Sequence, residues 1–294
     1  MKFKDPFITG ERFQIIADIS ILNLMIQRQH PTLTKLPTKF CLLDGEVKNF
    51  QLTNKQQFET LKQAKRIFVY TYQLPEFFRK IAPLLHQPYV LISHNSDDPA
   101  DKRFLSALEQ SNLTHWFAQN ATFKHEKLTA LPIGLANAQW AHGHLKLFRY
   151  IRKRNIKKTH LLYMNFKTDT NPDKRNAIFN FFKNNPLVTV SQGLAYKDYL
   201  EELASHFFCI SPPGNGLDCH RIWECLYLEV IPIVERNPTM LHFRDLPILI
   251  IDDWRQITKD FLQTAYFKLN RSFENLEKAD IRFWEEKIRG AAID

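Results

Sequence analysis

His220, Arg221 and Glu224 stand directly after Ser211-Pro-Pro-Gly-Asn-Gly-Leu-Asp-Cys219 and just before Ile231-Pro-Ile-Val234. Upstream, Phe207-Phe-Cys-Ile-Ser211 is a short apolar run that reads as a buried strand, and Pro212, Pro213, Gly214 and Gly216 break it sharply. Asp218 is placed to cap the helix that follows. Main-chain N–H groups and the positive end of the helix dipole converge at such a start, and phosphate is their natural partner. At 100° per residue, Cys219, Ile222, Trp223, Leu226 and Tyr227 gather on one side, predicted to be core, and His220, Arg221 and Glu224 on the other. Spacing alone also fits a plain solvated face with an Arg–Glu pair at i, i+3. The adjoining Gly214-Asn215-Gly216 loop favours a ligand, because it would aim Arg221 at the anion and leave Glu224 one turn deeper, near a sugar hydroxyl. That order suits a nucleoside diphosphate.

These residues also carry a resemblance. The run from Ser211 to Glu224, followed by Leu226-Tyr-Leu-Glu-Val-Ile-Pro-Ile-Val234 and Leu246-Pro-Ile-Leu-Ile-Ile-Asp-Asp-Trp254, resembles the signature of the exostosin-like glycosyltransferases, family 47, including the soluble versions in bacteria and large DNA viruses. Leu131-Pro-Ile-Gly-Leu-Ala136 with Gln139-Trp140, and Ser93-His-Asn-Ser-Asp97, are fainter echoes. The resemblance implies an α/β protein of GT-B type, two Rossmann-like lobes facing across a cleft, with a sugar-nucleotide donor, UDP-linked by preference. It further implies inversion at the anomeric carbon, no essential metal and a glycan or glycoprotein acceptor. Asn165, Thr170 and Arg175 match the family's first-strand loop, which approaches the phosphates, and Glu224 matches a position that accepts hydrogen bonds from ribose hydroxyls. The chain departs from the pattern at Pro213, where many relatives have Arg, and at Glu229, where Gly commonly ends the helix.

Glycosyl transfer needs a stabilised diphosphate leaving group, a base for the acceptor hydroxyl and a dry cleft. Without a metal, helix N-termini and cations must neutralise the leaving group, and Arg221, Arg175 and Lys167 are the candidates. Thr170 reads equally as part of a polar turn. Asp97 is the candidate base, with His94 and Asp98 behind it, because these residues leave the carboxyl end of a predicted strand, where open α/β sheets place ligands. An Asp-Asp-Pro sequence is also an ordinary helix cap. His206 and His242 sit among apolar neighbours and read as packed or surface histidines. No His/Cys/Asp cluster has zinc-site spacing, and Asp252-Asp253 reads as a structural strand end.

The elements that must position these groups alternate strand and helix from about Thr159 onward, which predicts parallel βαβ units. Thr159–Phe166, Leu187–Val190, Phe207–Ser211, Val230–Val234 and Leu246–Ile251 read as strands, with Arg175–Asn184, Tyr196–His206 and the Asp218 segment as helices. In the first half, Arg66–Tyr72 and Tyr89–Ser93 read as strands and Pro75–Leu85 as a helix disturbed at Pro83. A helix or strand pair is expected within Phe13–Met25. Two helices, Ile257–Leu269 and Ile281–Ile288, close the chain. The predicted division is an acceptor-side lobe at 1–155, a sugar-nucleotide lobe at 156–270, and a 271–294 segment packing back on the first lobe.

Composition bounds the alternatives. The 294 residues, 44% hydrophobic and 24% charged, are those of a globular protein with room for two cores. No apolar run reaches membrane-spanning length and no secretory signal opens the chain, so a cytoplasmic protein is expected, in the host cytoplasm if virus-encoded. Cys41, Cys209, Cys219 and Cys225 form no disulfide pattern and read as reduced thiols; Cys219, at a helix start, reads as packing rather than nucleophile. The net charge of +9 is matched by residues 146–183, with eleven Lys or Arg against two Asp. This run could bind nucleic acid or a polyanion, or be a solvated interdomain linker. A nucleic-acid-binding or scaffolding protein is therefore one alternative. A nucleotide-dependent oxidoreductase is another, weakened because Gly214-Asn215-Gly216 lacks the third glycine of the dinucleotide fingerprint.

Overall fold

The computed structural model describes residues 3–23, 36–44, 51–52, 55–109 and 112–292. Their apolar runs form two sheets, each in its own compact unit: residues 1–133 with 280–294, and residues 134–279.

The first unit holds β1 (Ile19–Asn23), β2 (Lys39–Asp44), β3 (Gln51–Leu52), β4 (Arg66–Tyr70), β5 (Tyr89–His94), β6 (Leu113–Gln119) and β7 (Leu128–Leu131), in the order β3-β2-β1-β4-β5-β6-β7. All pairings are parallel except β2 with β3. Every residue of β5 is buried, as expected of a parallel strand covered on both faces. The Gly10–Ile16 helix and β1 together answer the pairing expected within Phe13–Met25; Leu24 and Met25 themselves lie outside the described residues. Between β4 and β5 the chain winds through 3-10, α and π turns from Thr71 to Leu84. Pro83 has no N–H to continue a regular ladder there.

The second unit holds β8 (His160–Met164), β9 (Val188–Val190), β10 (His206–Ile210), β11 (Ile231–Glu235) and β12 (Leu249–Ile251). All are parallel, in the order β12-β11-β10-β8-β9. Leu162, Phe208, Ile210, Ile231 and Ile233 build its core with Ile178 and Phe182 of the Pro172–Phe182 helix and Leu262 of the Lys259–Leu269 helix. The chain adds β9 on one side of β8 and then returns to place β10 on the other. The carboxyl ends of β8 and β10 therefore flank a topological switch point, the place where such sheets open a ligand crevice.

The division of the chain differs from the expected one at both ends. Residues 134–155 belong to the second unit: the Leu145–Lys153 helix packs against the Tyr196–Ala204 helix, Arg154 pairs with Glu201, and Phe148 meets Tyr227 edge-on at 6.2 Å. The solvated-linker reading fails because Phe148 and Ile151 are buried. At the other end, Tyr227 donates to the Ala279 carbonyl at 2.8 Å and ties 271–279 to the second unit. Ile281 N–H donates to the Pro6 carbonyl at 2.9 Å, and the Ile281–Gly290 helix packs on the Gly10–Ile16 helix. Among the described residues no helix is long and apolar enough to cross a membrane.

Candidate functional site

Three loops leave the carboxyl ends of β8, β9 and β10, and two of them border a pocket of about 850 Å³ in the second unit. Asn165 to Asp169, after β8, form one edge, and Gln192 to Leu194, after β9, form another. Tyr196 and Tyr199, in the first turns of the next helix, and Ala141 with His142 complete the wall.

The loop after β10 is held from behind. Arg175 is buried and its guanidinium donates to the carbonyls of Pro213 at 2.8 Å, Lys167 at 2.8 Å and Pro212 at 3.4 Å, and to Thr170 Oγ1 at 3.0 Å. Asn171 Nδ2 donates to the Gly214 carbonyl at 2.9 Å. A side chain at position 214 would begin 3.1 Å from Arg175 Nη2, so glycine lets the guanidinium lie against the loop. Burial, and then the neighbouring Arg221, bring the Arg175 pKa down to about 10. Arg175 is thus spent on uncharged oxygens of two loops, and Thr170 and the Lys167 carbonyl serve as its anchors. The Lys167 side chain is exposed at the pocket.

Arg221 is half-buried. Its Nε donates to the Asn165 carbonyl at 3.0 Å, and its guanidinium lies over the Phe166 ring. Nη1 is buried and, among the described residues, has no hydrogen-bond partner. Burial opposes its charge, yet Cys219, Tyr199, Cys209 and Glu224 around it outweigh that effect and hold its pKa above the usual arginine value. Asn165 is fixed in turn, its Nδ2 donating to Tyr163 Oη at 2.9 Å, while Tyr163 and Ser191 both donate to Glu202 at 3.0 and 2.6 Å.

The helix after the glycine loop spans His220–Tyr227 and its N-cap is Cys219, not Asp218. The buried Asp218 carboxylate accepts instead from the Trp223 indole N–H, at 2.9 and 3.0 Å. A buried indole needs an acceptor, and that need outranks the cap. Gly214 N–H donates to the Gly216 carbonyl at 3.1 Å, closing the turn, and leaves Asn215 exposed at its tip. His220 Nδ1 lies 2.7 Å from the Gly134 carbonyl, which makes Nδ1 the protonated nitrogen. The expectation of a polar helix face fails at Glu224, which is buried. Its two carboxylate oxygens accept from Tyr196 Oη at 3.0 Å and Tyr199 Oη at 2.6 Å. Both tyrosines escape a sequence reading that assigns Tyr199 to an apolar stripe; the available signal was a Tyr pair at i, i+3 just beyond a strand end and Gly193.

In the first unit, the loop after β5 carries the other candidates. His94 is buried, with Nε2 at 3.0 Å from the Pro132 carbonyl and Nδ1 at 3.0 Å from Asn95 Oδ1. A Cβ on Gly10 would meet Asn95 Oδ1 at 1.6 Å, so this turn packs hard on the Gly10–Ile16 helix. Asp97 is exposed and its carbonyl accepts from Asn120 Nδ2 at 3.3 Å. Asp98, also exposed, is engaged by Ser96 Oγ at 3.2 Å. Asp97 and the Gly214-Asn215-Gly216 loop belong to different units.

Elsewhere the charges are largely committed. Asp252 pairs with Arg236 at 2.5 Å and Asp253 accepts from Arg255 Nε at 2.8 Å. Among the described residues no group of three or more His, Cys, Asp or Glu could hold a metal ion. Within the basic run, Arg154 pairs with Glu201, Lys174 with Glu235 at 3.4 Å, and Lys158 donates to three main-chain carbonyls.

No protein-family model and no curated protein matches the chain. Among solved structures it is similar to Alr3699/HepE of Anabaena in complex with UDP-glucose, with 9% identity over 98% of this chain and 97% of that one and a TM-score of 0.50. It is also similar to UDP-GlcNAc 2-epimerase of Methanocaldococcus jannaschii, with 11% identity over 94% and 99% and a TM-score of 0.43. At such identity the first likeness concerns architecture alone, and with the two parallel sheets it gives the fold: two Rossmann-like units of the GT-B class.

Proposed function

We propose that the second unit binds a nucleoside-diphosphate sugar, UDP-linked by preference, and that the chain is a glycosyltransferase of the exostosin-like type, moving the sugar with inversion to a glycan hydroxyl. The observation that carries this reading is the pair Arg175 and Arg221 on either side of the switch point, both against Phe166 and neither hydrogen-bonded to a carboxylate among the described residues. Two guanidiniums gathered in a partly desolvated place repel one another unless an anion joins them. A diphosphate supplies that anion. The similarity to a protein whose structure contains UDP-glucose supports the same ligand class.

In the proposed reaction the acceptor oxygen attacks the anomeric carbon, and the carbon–oxygen bond to the diphosphate breaks with its electron pair leaving on phosphate. Arg221 and Lys167 take up the developing negative charge, and Arg175 keeps the loop and Arg221 in register. Asp97 is the proposed acceptor of the hydroxyl proton, being the exposed carboxylate at the β5 end. His94 is less suited because both ring nitrogens are engaged.

The test is thermal stability against UDP, GDP, NADH and an oligonucleotide at two salt concentrations. A ligand at about a hundred times its Kd adds about 2.7 kcal/mol. UDP or GDP should raise the melting temperature at both salts. Stabilisation by oligonucleotide alone, lost at the higher salt, rejects the reading.

A further inference from the structure

Glu224 lies behind the pocket rather than in it. It is 4% exposed, it is absent from the wall, and both its oxygens are taken by phenols that do belong to the wall. The two phenol rings stand 6.1 Å apart at only 24°, nearly parallel. His142 meets Tyr196 edge-on at 6.3 Å, and Tyr163 backs Tyr199 at 6.3 Å. A tyrosine free to rotate at the surface samples several rotamers; one tethered by a charge-assisted hydrogen bond to a buried carboxylate does not. The result is a fixed aromatic wall on the pocket, whose β8 edge carries the exposed Lys167, while Arg175 and Arg221 donate to the backbone of the loops beside it. Flat apolar rings favour a planar ligand group.

We infer that Glu224 is a positioning residue that acts through Tyr196 and Tyr199, and that these two rings receive the nucleobase of the bound nucleotide. This rests on the nucleotide reading above and refines it: the carboxylate reaches the ligand through the tyrosines instead of bonding the ribose. Stacking of a base on an aromatic side chain is sequence-tolerant in itself, so the wall supplies affinity and orientation. Choice between bases falls to the polar edge formed by Gln192 and the main chain around Gly193.

The experiment is calorimetric titration of the full chain with UDP and, separately, with inorganic pyrophosphate, which has no base. Tyr196→Leu and Glu224→Gln should each weaken UDP binding about tenfold, in line with the loss of one stacking contact, and leave pyrophosphate binding within about twofold. Tyr196→Phe keeps the ring and should weaken UDP less than Tyr196→Leu does. An alkaline titration followed by tyrosinate absorbance adds a readout of tethering: in Glu224→Gln, phenols that the carboxylate keeps protonated should ionise at lower pH. Should Glu224→Gln fail to fold, the Tyr196 pair decides alone. Unchanged UDP affinity in Tyr196→Leu, or equal losses for UDP and pyrophosphate, overturns the inference while leaving the nucleotide reading standing. A wild-type chain that binds neither ligand removes that reading and this inference with it.

Discussion

Arg175 and Arg221 hold their guanidinium carbons 5.4 and 5.5 Å from the centre of one phenyl ring, that of Phe166. The ring offers each a weak cation–π attraction, but the two charges act on each other, and Arg221 contributes to the lowered pKa of Arg175. Their surroundings sort them into different roles. Arg175 points its donors at four oxygens of the β8 and β10 loops, whereas Arg221 makes one bond with Nε and keeps Nη1 without a partner among the described residues. Arg175 ties the two loops together, and in the proposed function Arg221 is the one that meets the phosphate.

Arg221→Ala should therefore reduce turnover at least about a hundredfold, the scale of losing one preorganised donor to developing charge. It should change stability by no more than about 1 kcal/mol, since removing it relieves repulsion on Arg175. Steady-state release of nucleoside diphosphate and a urea melt check both halves. Full turnover in the folded variant would contradict the role.

Arg175→Met has the opposite signature. It strands the carbonyls of Pro212, Pro213 and Lys167, and such losses at buried sites cost about 1–3 kcal/mol each before relaxation. We expect a destabilisation of about 3 kcal/mol and weaker UDP binding in whatever folds. Arg175→Lys should recover little, because an ammonium cannot reproduce the planar fork. Urea midpoints of the two variants against wild type decide.

Asp97→Asn tests the first unit. The side chain is exposed and its removal touches no core packing, so UDP affinity and melting temperature should stay near wild type while transfer falls to background. A variant that loses donor affinity but still turns over would assign Asp97 elsewhere.

Glu229 occupies a left-handed backbone conformation, φ +56°, directly after Leu228, the C-cap of the His220–Tyr227 helix. Its N–H donates to the Leu226 carbonyl at 3.2 Å and Val230 N–H to the Cys225 carbonyl at 2.9 Å, the wrapped end that glycine usually provides. A non-glycine residue there carries about 1–2 kcal/mol of strain, against about 0.5–1 kcal/mol of extra chain entropy lost by glycine. Glu229→Gly should stabilise the protein by about 0.5–1 kcal/mol, read as a higher melting temperature. A fall would show that the Glu229 charge beside Lys158 matters more than the backbone.

That position also shows what the sequence makes legible. The absence of glycine at 229 is visible as a departure from a pattern, but the strain it implies requires the dihedral angle. The βαβ rhythm of the second unit was readable because buried parallel strands such as Phe208–Ile210 and Ile231–Val234 are short apolar runs between polar turns. The Leu145–Lys153 helix is hidden under its charge: Arg149, Arg152 and Lys153 dominate the composition, and only Phe148 and Ile151 are fully buried. Asn165, Lys167, Arg175 and Arg221 gather around the β8 and β10 loops because strand order brings the first and third strands of the unit together, a long-range pairing no local spacing encodes. The burial of Glu224 and the absence of Asp218 from the helix cap share a cause. Each is a carboxylate whose partners, two tyrosines and an indole, lie inside the fold, and a helical wheel cannot see them.

Stability should depend on pH in three windows. His206 is buried, and burial leads in lowering its pKa from 6.5 to about 4, with the stacked His160 adding to it. Between those values the unfolded chain binds more protons than the folded one, so stability rises with pH and is lost on acidification through this range. Lys158 follows the same sign higher up: burial lowers its pKa from 10.5 to about 8, so stability should climb again from pH 8 towards 10. Above pH 10 the buried phenols reverse it. Burial raises Tyr70 from 10.0 to about 12, so the folded state keeps a proton that the unfolded chain releases, and stability falls as pH rises. At about 1.4 kcal/mol per pKa unit, the lysine and histidine windows each span at most about 3.5 kcal/mol. Urea midpoints across these ranges should rise, level, rise and then fall. Lys158→Met should flatten the step between pH 8 and 10, because its amine no longer gives up a proton on folding, and should leave the acid step intact. A Lys158→Met profile that still climbs there would assign the step to another group and leave Lys158 charged among its three carbonyls.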